Sequence, residues 1–179
     1  MTDKRKGLIV VFTGYGKGKT TAALGMALRA AGHKMKPLVI QFIKSFEGYG
    51  ELKFIKRCAS NIEIITMGKG YVKIRGDKLP LAEHRRMAEK AFKLYREKAK
   101  SGKYDMIILD EINIALKYKL LDSQKVIKIL KTKPKNLHLI LTGRDAPAQI
   151  IKLADLVTEM KEIKHPFRRG ILAQKGIEY

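Results

Sequence analysis

Tryptophan is absent from this sequence of 179 residues, and cysteine occurs once, as Cys58. A single cysteine excludes an intrachain disulfide framework and leaves no cluster for structural zinc. No apolar run approaches the roughly 20 residues that span a bilayer, and the N-terminus lacks the apolar stretch typical of a signal peptide. We therefore expect a cytoplasmic protein with no membrane partner.

Acidic residues are scarce as well: 17 Asp and Glu stand against 38 Lys and Arg, which gives a formal net charge of +21. Three interpretations fit this excess: binding of nucleic-acid phosphates, attraction of a polyanion such as a nucleoside triphosphate, and a solvated, lysine-rich surface. The charge is spread along the chain, and no helix-turn-helix, zinc or RNA-binding signature accompanies it. Nucleic acid therefore ranks last among the expected partners.

Residues 13–21 have the sequence TGYGKGKTT and lie between an apolar run and a helix-forming segment. Glycines in such a turn allow the backbone N–H groups to point at phosphate oxygens. Lys19 then reaches toward the phosphates, and the Thr20 hydroxyl ligates a magnesium ion. We call residues 14–20 the phosphate loop. The usual pattern G-x-x-x-x-G-K-[ST] has glycine where this chain has Thr13, so the loop is a variant.

The phosphate loop begins a regular alternation of apolar runs and helical patterns. This alternation predicts an α/β fold that is P-loop NTPase-like, with a mostly parallel central sheet of about six strands flanked by helices. We expect a single nucleotide-binding domain over 1–179, with a variable loop at about 68–79 and an irregular tail at about 164–179. The predicted strands are 7–13, 37–43, 61–67, 104–111, 137–142 and 156–160. The predicted helices are 19–31, 45–57, 80–100, 112–118, 122–131 and 146–154.

Two acids, Asp110 and Glu111, end one of the predicted strands. In P-loop proteins an acid at this place holds the magnesium ion or its water shell, although a helix N-terminus also favours acids. Ligands bind beyond the carboxyl ends of strands in open parallel sheets, so we expect these acids to meet the phosphate loop there. Arg144 follows another strand, where it contacts phosphate or nucleotide, or else pairs with Asp145 or Asp110.

Four stretches together resemble a known family. They are VFTGYGKGKTTAA at 11–23, QFIK at 41–44, YD through LDE at 104–111, and a C-terminal set made of LTGRDAP at 141–147, ADLVTEM at 154–160, KHP at 164–166 and residues 170–178. On these residues the chain resembles the P-loop class of ATP:cob(I)alamin (corrinoid) adenosyltransferases. The resemblance implies transfer of the 5′-deoxyadenosyl group of ATP to the Co(I) of cob(I)alamin or cob(I)yrinic acid a,c-diamide. Triphosphate is released, in adenosylcobalamin biosynthesis or salvage.

The resemblance also implies roles for individual residues. ATP is the co-substrate, and Lys19 and Thr20 act catalytically on its triphosphate leaving group. The ligands of a magnesium or manganese ion are Thr20 and Glu111. Tyr71 contacts the corrinoid in a loop where relatives have a Phe-x-Trp pair and this chain has Tyr71-Val72-Lys73. The implied nucleotide contacts are Gly14, Tyr15, Gly16, Lys17, Gly18, Lys19, Thr20, Thr21 and Arg29.

Family members further imply a homodimer and a reductase partner that supplies electrons. An alternative interpretation is a P-loop ATPase or kinase that cleaves at the γ-phosphate, because Glu111 can orient a water or an acceptor hydroxyl. A third is a basic nucleic-acid-binding protein that uses ATP as a switch. The reaction products distinguish these interpretations: triphosphate in the first case, and ADP in the second.

Overall fold

The computed structural model describes residues 6–45, 48–59, 61–70, 72, 77 and 79–179. Within this part of the chain the strands are β1 (Ile9–Thr13), β2 (Pro37–Gln41), β3 (Glu63–Thr66), β4 (Met106–Asp110), β5 (His138–Thr142) and β6 (Leu156–Glu159). The helices are α1 (Lys19–Gly32), α2 (Gly50–Cys58), α3 (Leu81–Lys100), α4 (Ile112–Lys117), α5 (Ser123–Lys131) and α6 (Ala148–Leu153). A 3₁₀ helix, Pro166–Arg169, follows β6. No helix in the described ranges is long and apolar enough to cross a membrane.

The six strands form one sheet in the order β3-β2-β4-β5-β1-β6. Every neighbouring pair is parallel, which confirms the predicted α/β architecture. The strand expected over 37–43 ends at Gln41, whose partner Asp110 is the last residue of β4, and the Phe42 amide makes the final bond of that ladder to the Asp110 carbonyl oxygen at 3.0 Å. The helix expected over 45–57 begins only at Gly50.

Apolar side chains cover both faces of the sheet, as the unbroken apolar runs of its central strands require. On one face α1 approaches closely because it presents small residues, Ala23, Ala27 and Ala30, to the sheet. The strand residues of that cluster include Val10, Val39, Ile108 and Ile140. The opposite face packs in a larger cluster with α3, α4 and α5. This packing fixes the first turn of α1 at the carboxyl edge of the sheet.

The strand order brings the predicted strand ends together. β5 lies between β4 and β1, with Leu109 opposite Leu141 and Phe12 opposite Thr142. The residues that follow β1, β4 and β5 therefore lie side by side at the carboxyl edge of the sheet, where the strands end. A candidate site has to be sought at this edge.

Candidate functional site

The phosphate loop connects β1 to α1 through glycines with positive φ, Gly14 at 89° and Gly18 at 109°. A Cβ added to Gly14 would lie 2.5 Å from the Met160 carbonyl oxygen, so only glycine fits there. The chain beyond β6 braces the loop, because the Gly16 amide donates to the Met160 oxygen at 2.6 Å. The Gly16 N–H is thus engaged within the protein.

Thr13 occupies the position at which the usual pattern has glycine, and its side chain has a partner. It is nearly buried, and its hydroxyl oxygen accepts the amide of Ala146 at 3.1 Å. This bond joins the end of β1 to the segment that follows β5. The threonine therefore stabilises the site edge in a way that glycine does not.

Lys19 lies inside the curl of the loop, with a side chain that is largely buried. Its Nζ donates to the Gly16 carbonyl oxygen at 2.5 Å. Burial lowers the pKa of Lys19, and the negative charge of Glu111 partly opposes that effect. The structure thus places a desolvated ammonium at the centre of the loop, where an anion would gain most from it.

Asp110 is fully buried at the end of β4 and has polar partners on each oxygen. Its Oδ1 accepts the hydroxyls of Thr20 at 2.9 Å and Thr142 at 2.8 Å. Its Oδ2 accepts Gln41 Nε2 at 3.1 Å and lies 3.4 Å from Lys44 Nζ. These contacts compensate the buried charge. They also direct the Thr20 proton toward Asp110 and leave the hydroxyl lone pairs available for a metal ion.

Glu111 adopts a left-handed conformation, with φ of 63°, and its amide donates to Thr142 Oγ1 at 2.9 Å. Its carboxylate lies against Gly143, where an added Cβ would come within 3.0 Å of Oε2. Burial, followed by the nearby charge of Asp110, raises the pKa of Glu111 to about 7, while Lys19 acts in the opposite direction. A carboxyl group that titrates near neutrality therefore lies beside the phosphate loop.

Tyr15 links the loop to the segment after β5. Its hydroxyl donates to Asp145 Oδ1 at 2.9 Å, and Asp145 also pairs with Lys117 at 2.6 Å. The Arg144 guanidinium lies over the Tyr15 ring, 5.4 Å from its centroid. Of the positions left open for Arg144, the structure favours one beside the loop, while Asp145 takes Lys117 as its close ionic partner.

Two residues with predicted roles, Arg29 and Thr21, have exposed side chains. Arg29 is exposed in the last turn of α1, about 15 Å along the helix axis from Lys19 by the usual rise per residue. Thr21 is exposed, and its hydroxyl donates to the Gly18 carbonyl oxygen at 3.0 Å. Tyr71 lies outside the described residues. Its neighbour Val72 is buried in the core.

The assignment of Thr20 and Glu111 as metal ligands stays a prediction, and the structure adds a hydrogen bond from the Thr20 hydroxyl to Asp110. No individual role was predicted for Gln41, Lys44 or Thr142. A signal was available, since Gln41, Asp110 and Thr142 are the polar last residues of buried strands. Polar side chains at carboxyl ends of parallel strands are the usual lining of ligand sites.

A metal ion at Thr20 would find few protein ligands. The described ranges contain no group of three or more His, Cys, Asp or Glu residues that could hold an ion. Magnesium commonly takes one or two protein ligands and completes its shell with water and phosphate oxygens. The donor set fits an ion that arrives with a nucleotide.

A cavity of about 540 Å³ opens between the phosphate loop and the tail. Lys17 lies on its loop side, and the other wall is formed by the chain after β6. Its lining combines the ionisable side chains of Lys17, His165 and Glu178 with apolar and aromatic ones: Tyr49, Phe167, Ile171, Ala173 and Tyr179. The cavity therefore offers apolar surface to an organic ligand beside a few charged groups.

Comparison with known proteins supplies independent evidence. The family model described as "ATP:corrinoid adenosyltransferase BtuR/CobO/CobP" matches residues 5–179. The corrinoid adenosyltransferase of a Sinorhizobium species is 45% identical over 99% of this chain and 82% of its own length. The enzyme of that name from Pseudomonas aeruginosa is 38% identical, over 97% and 84%. Corrinoid adenosyltransferase CobA of Salmonella typhimurium is 34% identical, over 99% and 88%.

Proposed function

The chain belongs to the ATP:corrinoid adenosyltransferase family BtuR/CobO/CobP, and on this premise we propose that it adenosylates a corrinoid. The 5′-deoxyadenosyl group of ATP passes to the Co(I) of cob(I)alamin or cob(I)yrinic acid a,c-diamide, and triphosphate leaves. The observation that carries the proposal is the buried Lys19 ammonium within a glycine-rich loop of the family's sequence. Such a loop is suited to hold a polyanionic leaving group.

The reaction requires little proton transfer by groups of the protein. Co(I) supplies an electron pair to C5′, a cobalt–carbon bond forms, and the C5′–O bond breaks with its electrons going to triphosphate. The cobalt is formally oxidised to Co(III) as the carbon is transferred. The protein's part is to align C5′ with cobalt and to stabilise the negative charge that develops on the leaving oxygen. Lys19 and the loop amides are suited to the second task.

A magnesium or manganese ion would assist at the same place. The Thr20 hydroxyl donates a hydrogen bond to Asp110 Oδ1 at 2.9 Å, so the lone pairs of its oxygen are free to ligate. Glu111 lies beside the loop as a second ligand or as an acceptor for metal-bound water. The ion would supply further charge neutralisation of the triphosphate.

The organic parts of the substrates belong, in this proposal, to the cavity beside Lys17. Its lining of Tyr49, Phe167 and Ile171 supports this assignment. We keep Tyr71 as a proposed corrinoid contact on the family resemblance alone, since it lies outside the described residues. Arg29 remains a proposed nucleotide contact.

We also propose a cytoplasmic homodimer that receives electrons from a reductase. Support for a dimer comes from the sheet edge at β6, where Leu156 and Val157 are 46% and 39% exposed on an edge strand. Exposed apolar side chains on an edge strand favour association. Sedimentation equilibrium of the wild type and of a Leu156→Lys variant tests this arrangement, since the variant should shift the protein toward monomer.

The decisive experiment is an anaerobic assay with ATP and chemically reduced corrinoid. We expect the cobalt spectrum to change to that of an adenosylated corrinoid, with stoichiometric release of triphosphate. The alternative is hydrolysis at the γ-phosphate, in which Glu111 would orient the attacking water, and the family match does not favour it. Release of ADP and phosphate at a comparable rate, without a spectral change, would establish hydrolysis instead.

A further inference from the structure

The end of the chain returns to the phosphate loop. The Glu178 carboxylate places Oε1 at 2.8 Å from Lys17 Nζ. Its Oε2 accepts the amide of Gln174 at 2.9 Å. The loop lysine next to Gly18 is therefore held by a carboxylate that lies 161 positions later in the sequence.

The carboxylate is positioned by a closed turn, which we call the terminal turn, residues 174–179. Within it the Glu178 amide donates to the Gln174 carbonyl oxygen at 2.9 Å, and the Gly176 amide donates to the Tyr179 carbonyl oxygen at 2.7 Å. The Glu178 side chain is only 13% exposed. The Lys17 ammonium holds the pKa of Glu178 below its usual range, so the group is charged at neutral pH.

This contact places a negative charge next to the site that binds a polyanion. A triphosphate in the phosphate loop offers Lys17 several charged oxygens, and the same oxygens repel Glu178 at close range. Both effects act in one direction: they weaken the bond between Lys17 and the terminal turn. Ile177 in this turn and Leu172 just before it are more than 70% exposed, so these two side chains contribute little packing to the turn.

We propose that Glu178 is a positioning residue, which holds Lys17 until triphosphate binds and then yields it to triphosphate, so that occupancy of the phosphate loop releases the terminal turn. The inference rests on the proposed function, because it takes the phosphate loop to be the triphosphate site. Glu178 and Tyr179 line the cavity beside Lys17. Release of the turn therefore widens this cavity after the phosphates are in place, which favours binding of ATP before the corrinoid.

The test uses inorganic triphosphate with Mg²⁺ as the probe and measures two quantities. Titration calorimetry gives its affinity, and hydrogen–deuterium exchange gives the protection of the amides of residues 174–179. The variants are Glu178→Gln and a control, Glu162→Gln. Glu162 lies in the same tail and pairs with Arg168 at 2.6 Å, whereas the ionic partner of Lys17 is Glu178.

In the wild type, saturating triphosphate should raise exchange of the terminal turn several-fold. Glu178→Gln should show fast exchange already without triphosphate and should bind it about 5- to 10-fold more tightly, because the competing carboxylate is gone. Glu162→Gln should match the wild type in both measurements. The wild-type exchange result does not depend on the folding of any variant.

Two failures can be told apart. If triphosphate binds but the terminal turn keeps or gains protection, or if Glu178→Gln binds it no more tightly, the inference is wrong while the proposed function stands. If triphosphate does not bind the wild type, or binds Lys19→Met equally well, the proposed triphosphate site is wrong and the inference falls with it.

Discussion

The parallel strands all begin at one side of the sheet, which we call the amino edge, and end at the carboxyl edge. Two lysines, one at each of these sides, use their charge differently. Lys133 lies at the amino edge, where its Nζ donates to the carbonyl oxygens of Gly7 at 2.7 Å, Leu137 at 3.0 Å and Pro134 at 3.4 Å. Lys19 lies at the carboxyl edge, where its Nζ donates to the single carbonyl oxygen of Gly16. Burial lowers the pKa of both groups.

The difference lies in the number of donors left over. An ammonium has three N–H donors, and Lys133 directs all of them at backbone oxygens. Lys133 therefore acts as a structural connection between the start of β1 and the start of β5. Lys19 keeps donors for a ligand, and in the proposed enzyme that ligand is triphosphate. Partial burial and a lowered pKa are common to both lysines, so neither property alone identifies the functional one.

The largest expected effect is on activity in Lys19→Met. This change removes the ammonium but preserves most of the side-chain volume. We expect the adenosylation rate to fall at least about 100-fold, as it does when a group that stabilises developing negative charge is removed. Thermal unfolding should be unchanged or shifted upward, because a desolvated charge is removed. A rate near that of the wild type would show that Lys19 is not a leaving-group contact.

A lysine-to-methionine substitution at the amino edge should lower stability and leave activity unchanged. Lys133→Met leaves buried carbonyl oxygens without their charged donor, at a cost of about 2–3 kcal/mol in unfolding free energy. The melting temperature should fall by about 5–10 °C, while the rate per folded molecule is kept. Lys135→Met, at an exposed neighbouring position, is the matched control and should leave the melting temperature unchanged. Equal melting temperatures for both variants would contradict the structural role of Lys133.

Local sequence signals were sufficient for most of the architecture. The central strands are buried on both faces, so they appear as short unbroken apolar runs, and their parallel pairing follows from the helices between them. Strand ends were less predictable. The apolar run continues through Phe42 and Ile43, but β2 stops at Gln41 because its ladder partner Asp110, 69 positions further along the chain, is the last residue of β4.

The site was predictable only in part, for the same reason. Lys19 and Thr20 belong to a contiguous motif, whereas the choice between Asp110 and Glu111 depends on tertiary structure. Glu111 adopts the left-handed conformation and points toward Gly143, which leaves Asp110 facing Thr20. Lys133 carried no signal at all, because its carbonyl partners lie at the starts of two separate strands.

Two threonines sharpen the comparison within the carboxyl edge. The hydroxyls of Thr20 and Thr142 both donate to Asp110 Oδ1, at 2.9 and 2.8 Å. Thr20→Val removes the proposed metal ligand. We therefore expect the adenosylation rate to fall by up to about 10-fold and the Mg²⁺ concentration needed for activity to rise. Thr142→Val leaves Asp110 and the Glu111 amide each short of a buried partner, which costs about 1–3 kcal/mol of stability. Mg²⁺ titration of the rate and urea unfolding of both variants separate the two effects.

Both threonine variants could lose activity equally without a change in Mg²⁺ requirement. That result would show that Thr20 acts by orienting Asp110 and not as a metal ligand. Lys19 would then be the one residue of this group with a proposed direct contact to the leaving group.

The smallest expected effect concerns an ionic cluster at the amino edge. The Tyr104 hydroxyl donates to Glu63, which also accepts Lys98 Nζ at 3.2 Å. The bond from Tyr104 is the main reason that the pKa of Glu63 lies below its ordinary value of 4.5. Because the folded state binds the proton less readily, the contribution to stability is present above pH 4.5 and is lost as the pH falls through the lowered pKa.

Tyr104→Phe should therefore cost about 0.5 kcal/mol at pH 7, a small value because Glu63 is partly exposed and screened by solvent. The difference from the wild type should shrink at pH 3.5, below the ordinary pKa of 4.5, because the carboxyl is then largely protonated in the unfolded chain of both proteins. Urea unfolding at the two pH values measures this, and adenosylation at pH 7 should not change. A Tyr104→Phe variant with reduced activity but wild-type stability would contradict this view. It would show that residues at the amino edge contribute to the reaction and not only to stability.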